Sequence, residues 1–412
     1  AAERLDLELV FGTDRGDMLD EPWQDRAIPI RFYDEERSVN AILEATRFAP
    51  VDGVVVVGDR PVVIGARVMQ ALGLPGHPPG AAAIAGNKQR TRERLRDRGL
   101  PVPWFVPTTI AADPRPLAAS IQYPCILKPV ALSGSRGVMR ADDPGGFVTA
   151  FERLGALLRS PDVRAERGEA HEVALVEGFI AGREYALEGL LHHGALRVLA
   201  LFDKPDPLDG PFFEETIYVT PSTASPGVQT AVRDAVARAA EAIGLQHGPI
   251  HGECRVGDAP STGSGQAAVF VLEVAARPIG GLCARALRFG QAVPVLPEGG
   301  AENVLQGVRS LCSLEEILLR HALGESPEGW TREPRASGVM MIPIPRRGLF
   351  RRVDGLDAAR AVSDVDDVRI TAKTDQLLVP LPEGTSYLGF IFAQGETPAG
   401  VERALRGAHE RL

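Results

Sequence analysis

The sequence predicts an α/β protein of several packed subdomains, and three observations carry that prediction. Val54 to Val57 is a short, wholly apolar run closed by Gly58 and Asp59, the pattern of a parallel strand covered on both faces. Residues 120 to 185 read as strand, Gly-rich turn, helix and strand. HGECRV and VFVLEVAAR flank GDAPSTGSGQAA, which reads as two antiparallel strands joined by a flexible tip at 257 to 268. At 412 residues the chain exceeds one ordinary core and calls for two or three subdomains.

In chain order, Leu9 to Phe11 reads as a strand ending at Gly12 and Asp14, and residues 1 to about 85 as a small doubly wound domain. Such a domain normally opens with a strand and its helix, so a further segment ahead of Ala1 is expected. Leu74 to Gly80 is rich in Pro and Gly and marks a boundary. Beyond it Asn87 caps a strongly basic helix that Gly99 and Pro101 end. Strand-like segments run from 185 to 202. After Arg277 the pattern is mostly helical to about 325, and residues 336 to 392 return to short strands ending in the apolar stretch Tyr387 to Phe392. No internal repeat is present.

Composition narrows the function classes. With 45 Lys+Arg against 54 Asp+Glu the net charge is −9, which argues against a general nucleic-acid binder while allowing local basic pockets. No apolar run reaches the 18 or so residues of a membrane span, and the N-terminus lacks a signal-peptide pattern, so the cytosol is the expected compartment. Cys125, Cys254, Cys283 and Cys312 form no CxxC pair and sit in apolar surroundings, as buried free thiols do.

The two familiar nucleotide motifs are absent. There is no GxxxxGK[ST], and Gly263-Ser264-Gly265 precedes a strand where a dinucleotide fingerprint must follow one. Tyr123 to Arg140, YPCILKPVALSGSRGVMR, is the informative stretch: a strand bearing Lys128 runs into a Ser/Gly turn and a second strand. Gly134 and Gly137 let backbone N–H groups approach anionic oxygens, Ser133 and Ser135 add donors, and Lys128 supplies a point charge. The plainer alternative is a hairpin with a surface lysine. Glu253 and Glu273 lie in the two strands of the predicted hairpin, where antiparallel pairing brings together two carboxylates suited to Mg²⁺. Period-two alternation also puts Glu273, Ala275 and Arg277 on one face. The alternative there is structural pairing with Arg255 and Arg277, since a Glu in an apolar strand needs some partner. VALVEGFI, interrupted by Glu177 and followed by Gly182 and Glu184, offers a backbone edge and a carboxylate for adenine, with Glu184 for ribose, or simply a strand ending in a charged turn.

In this order the elements resemble the ATP-grasp superfamily over about residues 85 to 290. GNKQRTRERLRDRGLPVPWF is similar to the segment before the lid, YPCILKPVALSGSRGV to the first lid strand with its phosphate loop, and VEGFIAGREYALEG to the adenine hinge. HGECRV and VFVLEVAARPIGG are similar to the paired metal-ligand strands. The resemblance implies an ATP-grasp fold with an N-terminal doubly wound domain (1–85), a linker and helix (86–119), a small α+β lid (120–185), a larger α+β catalytic subdomain (186–330) and a C-terminal α+β region (331–412). It implies that Lys88 and Lys128 contact ATP phosphates under a loop of Ser133, Ser135 and Gly137. Glu177, with backbone groups of Phe179 and Ile180, holds adenine, and Glu184 the ribose. Glu253 and Glu273 hold Mg²⁺, for which Mn²⁺ is a substitute, and Lys204 reaches phosphate or substrate. Arg277, with Gly280 and Gly281, meets the substrate and its acyl phosphate. His251 reads as a packed or solvated histidine, a substrate contact being the other option.

Many members carry an Asn two residues after the second Glu; here that position is Ala275. The EVAAR form is similar to carboxylate-amine ligases of the L-amino-acid ligase type, as is the tail from Ala336 to Leu412. The implied activity is ATP-dependent amide bond formation through an acyl phosphate, with Lys128 and Arg277 stabilising developing negative charge. Implied partners are small carboxylates and amines, amino acids foremost, with no nucleic acid and no membrane; a homodimer is compatible with the sequence. Alternatives are a bicarbonate-activating carboxylating enzyme and a nucleotide-binding regulatory protein without catalysis.

Overall fold

The computed structural model describes residues 1–15, 23, 26–260, 267–291 and 311–412. Its N-terminal part holds a short parallel pair, β1 (Phe11–Thr13) and β2 (Ala27–Pro29), packed with helices α1 (Glu35–Ala45), α2 (Val62–Leu72) and α3 (Pro79–Ala85). The first strand therefore begins where the sequence reading had it ending.

Val54 to Val57 is not a strand. The extended run pairs with no ladder among the described residues and sends Val54, Val55 and Val56 into three different apolar clusters, leaving Val57 exposed. It lies directly on α2 at Gly65, where a Cβ would sit 2.2 Å from a Val56 methyl. An apolar run wedged between cores has the same composition as a buried strand, which is why the pattern misled.

Helix α4 (Lys88–Asp97) starts at Asn87, whose side chain accepts from the Arg90 N–H. It ends where the Leu100 N–H bonds back to the Leu95 carbonyl across Gly99, whose φ of 69° suits glycine. Its inward face is Thr91, Arg92 and Leu95.

The lid comprises β3 (Phe105–Thr109), α5 (Pro114–Ala118), β4 (Cys125–Pro129), β5 (Met139–Ala141), α6 (Pro144–Leu158), α7 (Pro161–Arg164) and β6 (Val173–Gly178). Its antiparallel sheet runs β3-β6-β4-β5. Along β4, Cys125 and Leu127 pack with Phe147, Phe151 and Leu154 of α6, while period-two alternation turns Ile126 and Lys128 to the opposite face. That alternation is what delivers a lysine to a cleft.

The main sheet is built from β7 (Arg183–His192), β8 (Ala195–Asp203), β9 (Ile217–Thr220), β10 (Gly248–Pro260) and β11 (Ala267–Ala275), with α8 (Pro226–Ile243) packed on β7, β10 and β11. A three-stranded sheet of β12 (Arg288–Gln291), β13 (Cys312–Ser313) and β14 (Trp330–Arg332) accompanies α9 (Leu314–Ala322). Then follow β15 (Ala336–Ile342), β16 (Gly348–Leu349), α10 (Leu356–Arg360), β17 (Val365–Ile370), β18 (Leu377–Leu378), β19 (Gly389–Gly395) and α11 (Pro398–His409). The eight-stranded order is β11-β10-β7-β8-β9-β15-β19-β17, so the C-terminal strands continue the main sheet without a break.

Of the stretch after Arg277, the described residues hold a 3₁₀ turn at Cys283–Ala286, the short strands β12 and β13, and α9 from Leu314; residues 292–310, on which much of the expected helical run falls, lie outside the described residues. The hairpin tip is shorter than 257–268, since β10 runs to Pro260 and β11 starts at Ala267; residues 261–266 lie outside the described residues. All four cysteines are free and buried, and no described helix is long and apolar enough to cross a membrane.

Candidate active site

A cleft of about 360 Å³ opens between the lid and the main sheet. Lys88, Lys128, Ser133, Ser135, Glu177, Phe179, Ile180, Glu184, Glu253, Glu273, Arg277, Gly280 and Gly281 all line it.

Lys128 is buried and its Nζ lies 2.5 Å from Glu177, whose carboxylate also accepts from Arg92 Nε at 2.9 Å. Burial, opposed by Glu177, brings the Lys128 ammonium down to about 8. Against burial, Arg92 and Lys128 hold Glu177 at about 2. Glu177 is thus not a free acceptor for adenine: both of its oxygens serve cations, and it fixes Lys128 in place. Arg92 was missed. It is fully buried, donates as well to the Val271 and Leu272 carbonyls of β11, and so joins α4, the lid strand β6 and the main sheet. Its signal was its place beside Thr91 and Leu95 on the inward face of α4. Lys88, at the start of α4, reaches the Leu132 carbonyl at 2.7 Å and Glu273 at 3.1 Å.

The Ser/Gly turn has left-handed residues at Gly134 (φ 60°), Ser135 (φ 55°) and Gly137 (φ 75°). Its hydroxyl at Ser133 hydrogen-bonds Asp59, and a Cβ on Gly134 would meet open space. Gly137 does not face the cleft. Its N–H donates to the Pro382 carbonyl at 2.8 Å, and a Cβ there would press on Leu154, Leu157 and Pro129 at 3.0–3.2 Å. This glycine serves packing and a tie to the 380s loop, so its expected phosphate contact is withdrawn.

At the hinge, the Phe179 N–H donates to the Pro124 carbonyl at 3.1 Å and the Ile180 carbonyl accepts from Arg255 at 2.7 Å. The expected two-point backbone grip is therefore half taken. The Phe179 carbonyl and Ile180 N–H make no hydrogen bond among the described residues, but they belong to one trans peptide and point oppositely, so only one can meet a base edge. Ile126, Val138, Leu208 and Phe213 supply an apolar slot with Phe179. None of these four was singled out from sequence. Glu184 accepts from Lys204 at 2.7 Å and Arg255 at 2.9 Å, so it too is engaged and is not a free ribose acceptor.

Glu253 and Glu273 sit directly opposite each other in the β10–β11 register and both line the cleft. The carboxylates that cluster, however, are Glu184, Glu215 and Glu253, with oxygens within 4.8 Å of one another. Lys204 lies among them at 2.7, 3.1 and 2.9 Å and offsets the charge of the cleft floor from behind its lining. Even so, Glu215 is pushed up to about 7 by burial and by Glu253 and Glu184, the mark of a site still short of positive charge. Hard oxygen donors of this kind fit a divalent cation. Ala275 offers no ligand atom, and Glu215, from the loop before β9, brings a carboxylate that the sequence reading did not foresee. Against burial, Lys204 and His251 hold Glu253 well below the ordinary carboxylate range.

Arg277 lies just past the end of β11 and pairs through two bonds with Asp59, at 2.6 and 3.0 Å. Asp59 belongs to the N-terminal part, so the arginine is positioned across units of the fold. Glu273, thought to share its strand face, is instead bound to Lys88. The N–H groups of Gly280 and Gly281 face no hydrogen-bond acceptor among the described residues. His251 is neither idle nor solvated: it is buried, 3.3 Å from the fully buried Glu188 and 3.6 Å from Glu253. Against burial, those carboxylates raise it to about 9. Glu188 also accepts from the Ile279 N–H at 3.1 Å, which anchors the turn leading to Gly280.

Comparison with known proteins agrees with this architecture. Residues 121–286 match the ATP-grasp domain, residues 1–76 the ATP-grasp N-terminal domain, and residues 340–412 the L-amino acid ligase C-terminal domain 2. Alanine–anticapsin ligase of Bacillus subtilis is 27% identical over 236 residues, 54% of this chain and 49% of that protein. D-alanine–D-alanine ligase B of Chromobacterium violaceum is 28% identical over 182 residues, 43% of this chain and 56% of that protein. The crystal structure of L-amino acid ligase from Bacillus licheniformis superposes with a TM-score of 0.78 at 28% identity, covering 100% of this chain and 93% of that one. The chain spans about half to two thirds of the length of the curated relatives it matches. With these three matched domains set around one lid-covered cleft, the chain belongs to the ATP-grasp superfamily.

Proposed function

We propose that this chain is an ATP-dependent carboxylate–amine ligase acting on amino acids through an acyl phosphate. The observation that carries the reading is the convergence on one cleft of two lysines, a Ser/Gly turn, opposed glutamates and a half-buried arginine, contributed by four separate parts of the chain. The printed names of three relatives, alanine–anticapsin ligase, D-alanine–D-alanine ligase B and L-amino acid ligase, support the same class.

In this reading the apolar slot of Ile126, Val138, Leu208 and Phe213 takes adenine. Lys88 and Lys128 take the phosphates, and the turn at Ser133 to Ser135 covers them. The substrate carboxylate attacks the γ-phosphorus; the bond to the β-phosphate oxygen breaks and ADP leaves. Arg277 and the N–H groups of Gly280 and Gly281 hold the acyl phosphate and the oxyanion that forms when the amine adds to its carbonyl; the oxyanion collapses to the amide as the C–O bond to phosphate breaks and the nitrogen loses its proton. Glu253, Glu215 and Glu273 would hold Mg²⁺, or Mn²⁺ in its place, which supplies charge neutralisation of the phosphates.

The test is phosphate release across a panel of amino acids and other carboxylates, singly and in pairs, with mass spectrometry of the products. Release that requires an amino acid, and an amide product when an amine is present, is the expected result. Bicarbonate-dependent release would favour a carboxylating enzyme. ATP binding without hydrolysis under every condition would refute the ligase reading.

A further inference from the structure

Away from the cleft, three histidines from three elements meet. His192 ends β7, His247 precedes β10, and His321 lies in the last turn of α9. Their ring nitrogens fall within 4.8 Å of one another. His192 and Glu184 are eight positions apart on one strand, so at about 3.3 Å per residue the cluster stands roughly 25 Å from the cleft floor.

We propose that His192, His247 and His321 form a binding site for a transition-metal ion of the zinc class. The His192 Nδ1 to His321 Nε2 separation is 3.2 Å. Two imidazole nitrogens bound tetrahedrally at zinc distances stand about 3.3 Å apart. His247 stacks on His321 with ring centroids 4.2 Å apart, and both of its ring nitrogens are buried without a hydrogen-bond partner. A buried imidazole left so costs free energy that ligation would recover.

The surroundings favour the ligating form. No carboxylate bonds any of the three among the described residues, so nothing there holds them as cations. His247 and His321 are buried, stacked on each other and close to other imidazoles, surroundings that suit the neutral, ligating form. His77, the other buried histidine beside them, is spoken for by the Pro249 carbonyl and the Gln246 N–H. With nitrogen donors and no oxygen, the site excludes Mg²⁺ and Ca²⁺ and suits Zn²⁺, Co²⁺ or Ni²⁺. Half-exposed His192, next to exposed His193 in the β7–β8 turn, leaves an open side for entry and for a water as fourth ligand. A bound ion would staple the β7–β8 turn, the approach to β10 and α9.

The test uses the full chain stripped with a chelator and kept in saturating MgADP, so that the oxygen sites are filled. Titration with Co²⁺ followed by visible absorption, and with Zn²⁺ against a chromophoric chelator, should give one equivalent, and Zn²⁺ should raise the melting temperature by a few degrees. His247→Ala should weaken binding by ~100-fold or more, in line with loss of a direct ligand where an outer partner alone is worth 10- to 100-fold. His192→Gln, at the half-exposed end, serves the same purpose if His247→Ala does not fold. Glu253→Gln should leave the titration unchanged. Absence of stoichiometric binding, equal binding in His192→Gln, or loss of binding in Glu253→Gln would overturn the proposal.

Discussion

Lys128 shows how a functional residue can oppose stability. Its folded pKa of about 8 lies below the ordinary lysine value of 10.5, so between those limits the unfolded chain binds more protons than the native one. Stability from this group therefore rises with pH from 8 to 10.5 and is least below 8. Lys128→Met should cost little stability at pH 7, or even raise it, because Glu177 keeps Arg92 as partner. The variant's deficit against the parent should grow by on the order of 3 kcal/mol towards pH 10.5. Turnover should be lost at every pH. Urea unfolding of both proteins at pH 7 and 10 decides it, and a variant several kcal/mol weaker at pH 7 would mean that the lysine is a structural ion-pair partner. Glu177→Gln should be far worse, by about 3–5 kcal/mol, since it strands two buried cations with no anion between them. If Glu177→Gln melted like the parent, the buried triad would not be holding the hinge. Lys128, Glu253 and Arg277 were legible in the sequence because each breaks an apolar pattern in a short segment. Arg92, Asp59 and Glu215 were not: Arg92 meets Glu177 across 85 positions and Arg277 meets Asp59 across 218, and no local pattern encodes such partners.

At the scale of elements, the same turn contains two glycines of different kinds, which the sequence could not separate. Both have positive φ, so a Cβ at either carries about 1–2 kcal/mol of backbone strain. Gly134 faces open space, whereas a Cβ on Gly137 meets Leu154, Leu157 and Pro129 within 3.2 Å. Overpacking of that sort adds about 1–3 kcal/mol. Gly134→Ala should thus melt close to the parent and weaken ATP binding, while Gly137→Ala should lose roughly 2–5 kcal/mol. Equal melting temperatures for the two would refute the division. The hairpin carrying Glu253 and Glu273 was readable because strand alternation and a polar tip are local signals. Val54 to Val57 was not, since an apolar run states that it is buried and leaves open what buries it. Strand β12 within the stretch after Arg277 was missed for a related reason: it is only four residues long and gives periodicity too little length to register.

At the scale of the whole molecule, the cleft depends on contacts between parts that each look complete alone. Gly137 and Arg136 of the phosphate turn bond carbonyls at Pro382 and Glu383, and Arg153 of α6 pairs with Glu383, so the C-terminal region holds the lid against the sheet it extends. The N-terminal part acts through Asp59, which takes the Ser133 hydroxyl on one side and the Arg277 guanidinium on the other. Its carboxyl is kept below the usual range, against burial, by Arg277, and the guanidinium is raised further by the same contact.

If Arg277 works in chemistry, Asp59 sets the plane in which its two outer donors face the acyl phosphate, and the two residues should separate in their effects. Arg277→Lys keeps a positive charge opposite Asp59 but loses the planar fork, so ligation should fall by about 10²–10³ while ATP affinity changes little. Asp59→Asn keeps the arginine but releases its orientation, and leaves the buried guanidinium without its anion. That variant should melt lower and lose a smaller share of its rate, about tenfold. A structural ion pair would predict no such separation, with both variants equally unstable and equally impaired because either breaks the same contact. Measuring melting temperature, ATP affinity and ligation rate on both variants separates the cases, and near-normal turnover in Arg277→Lys would remove the arginine from the reaction.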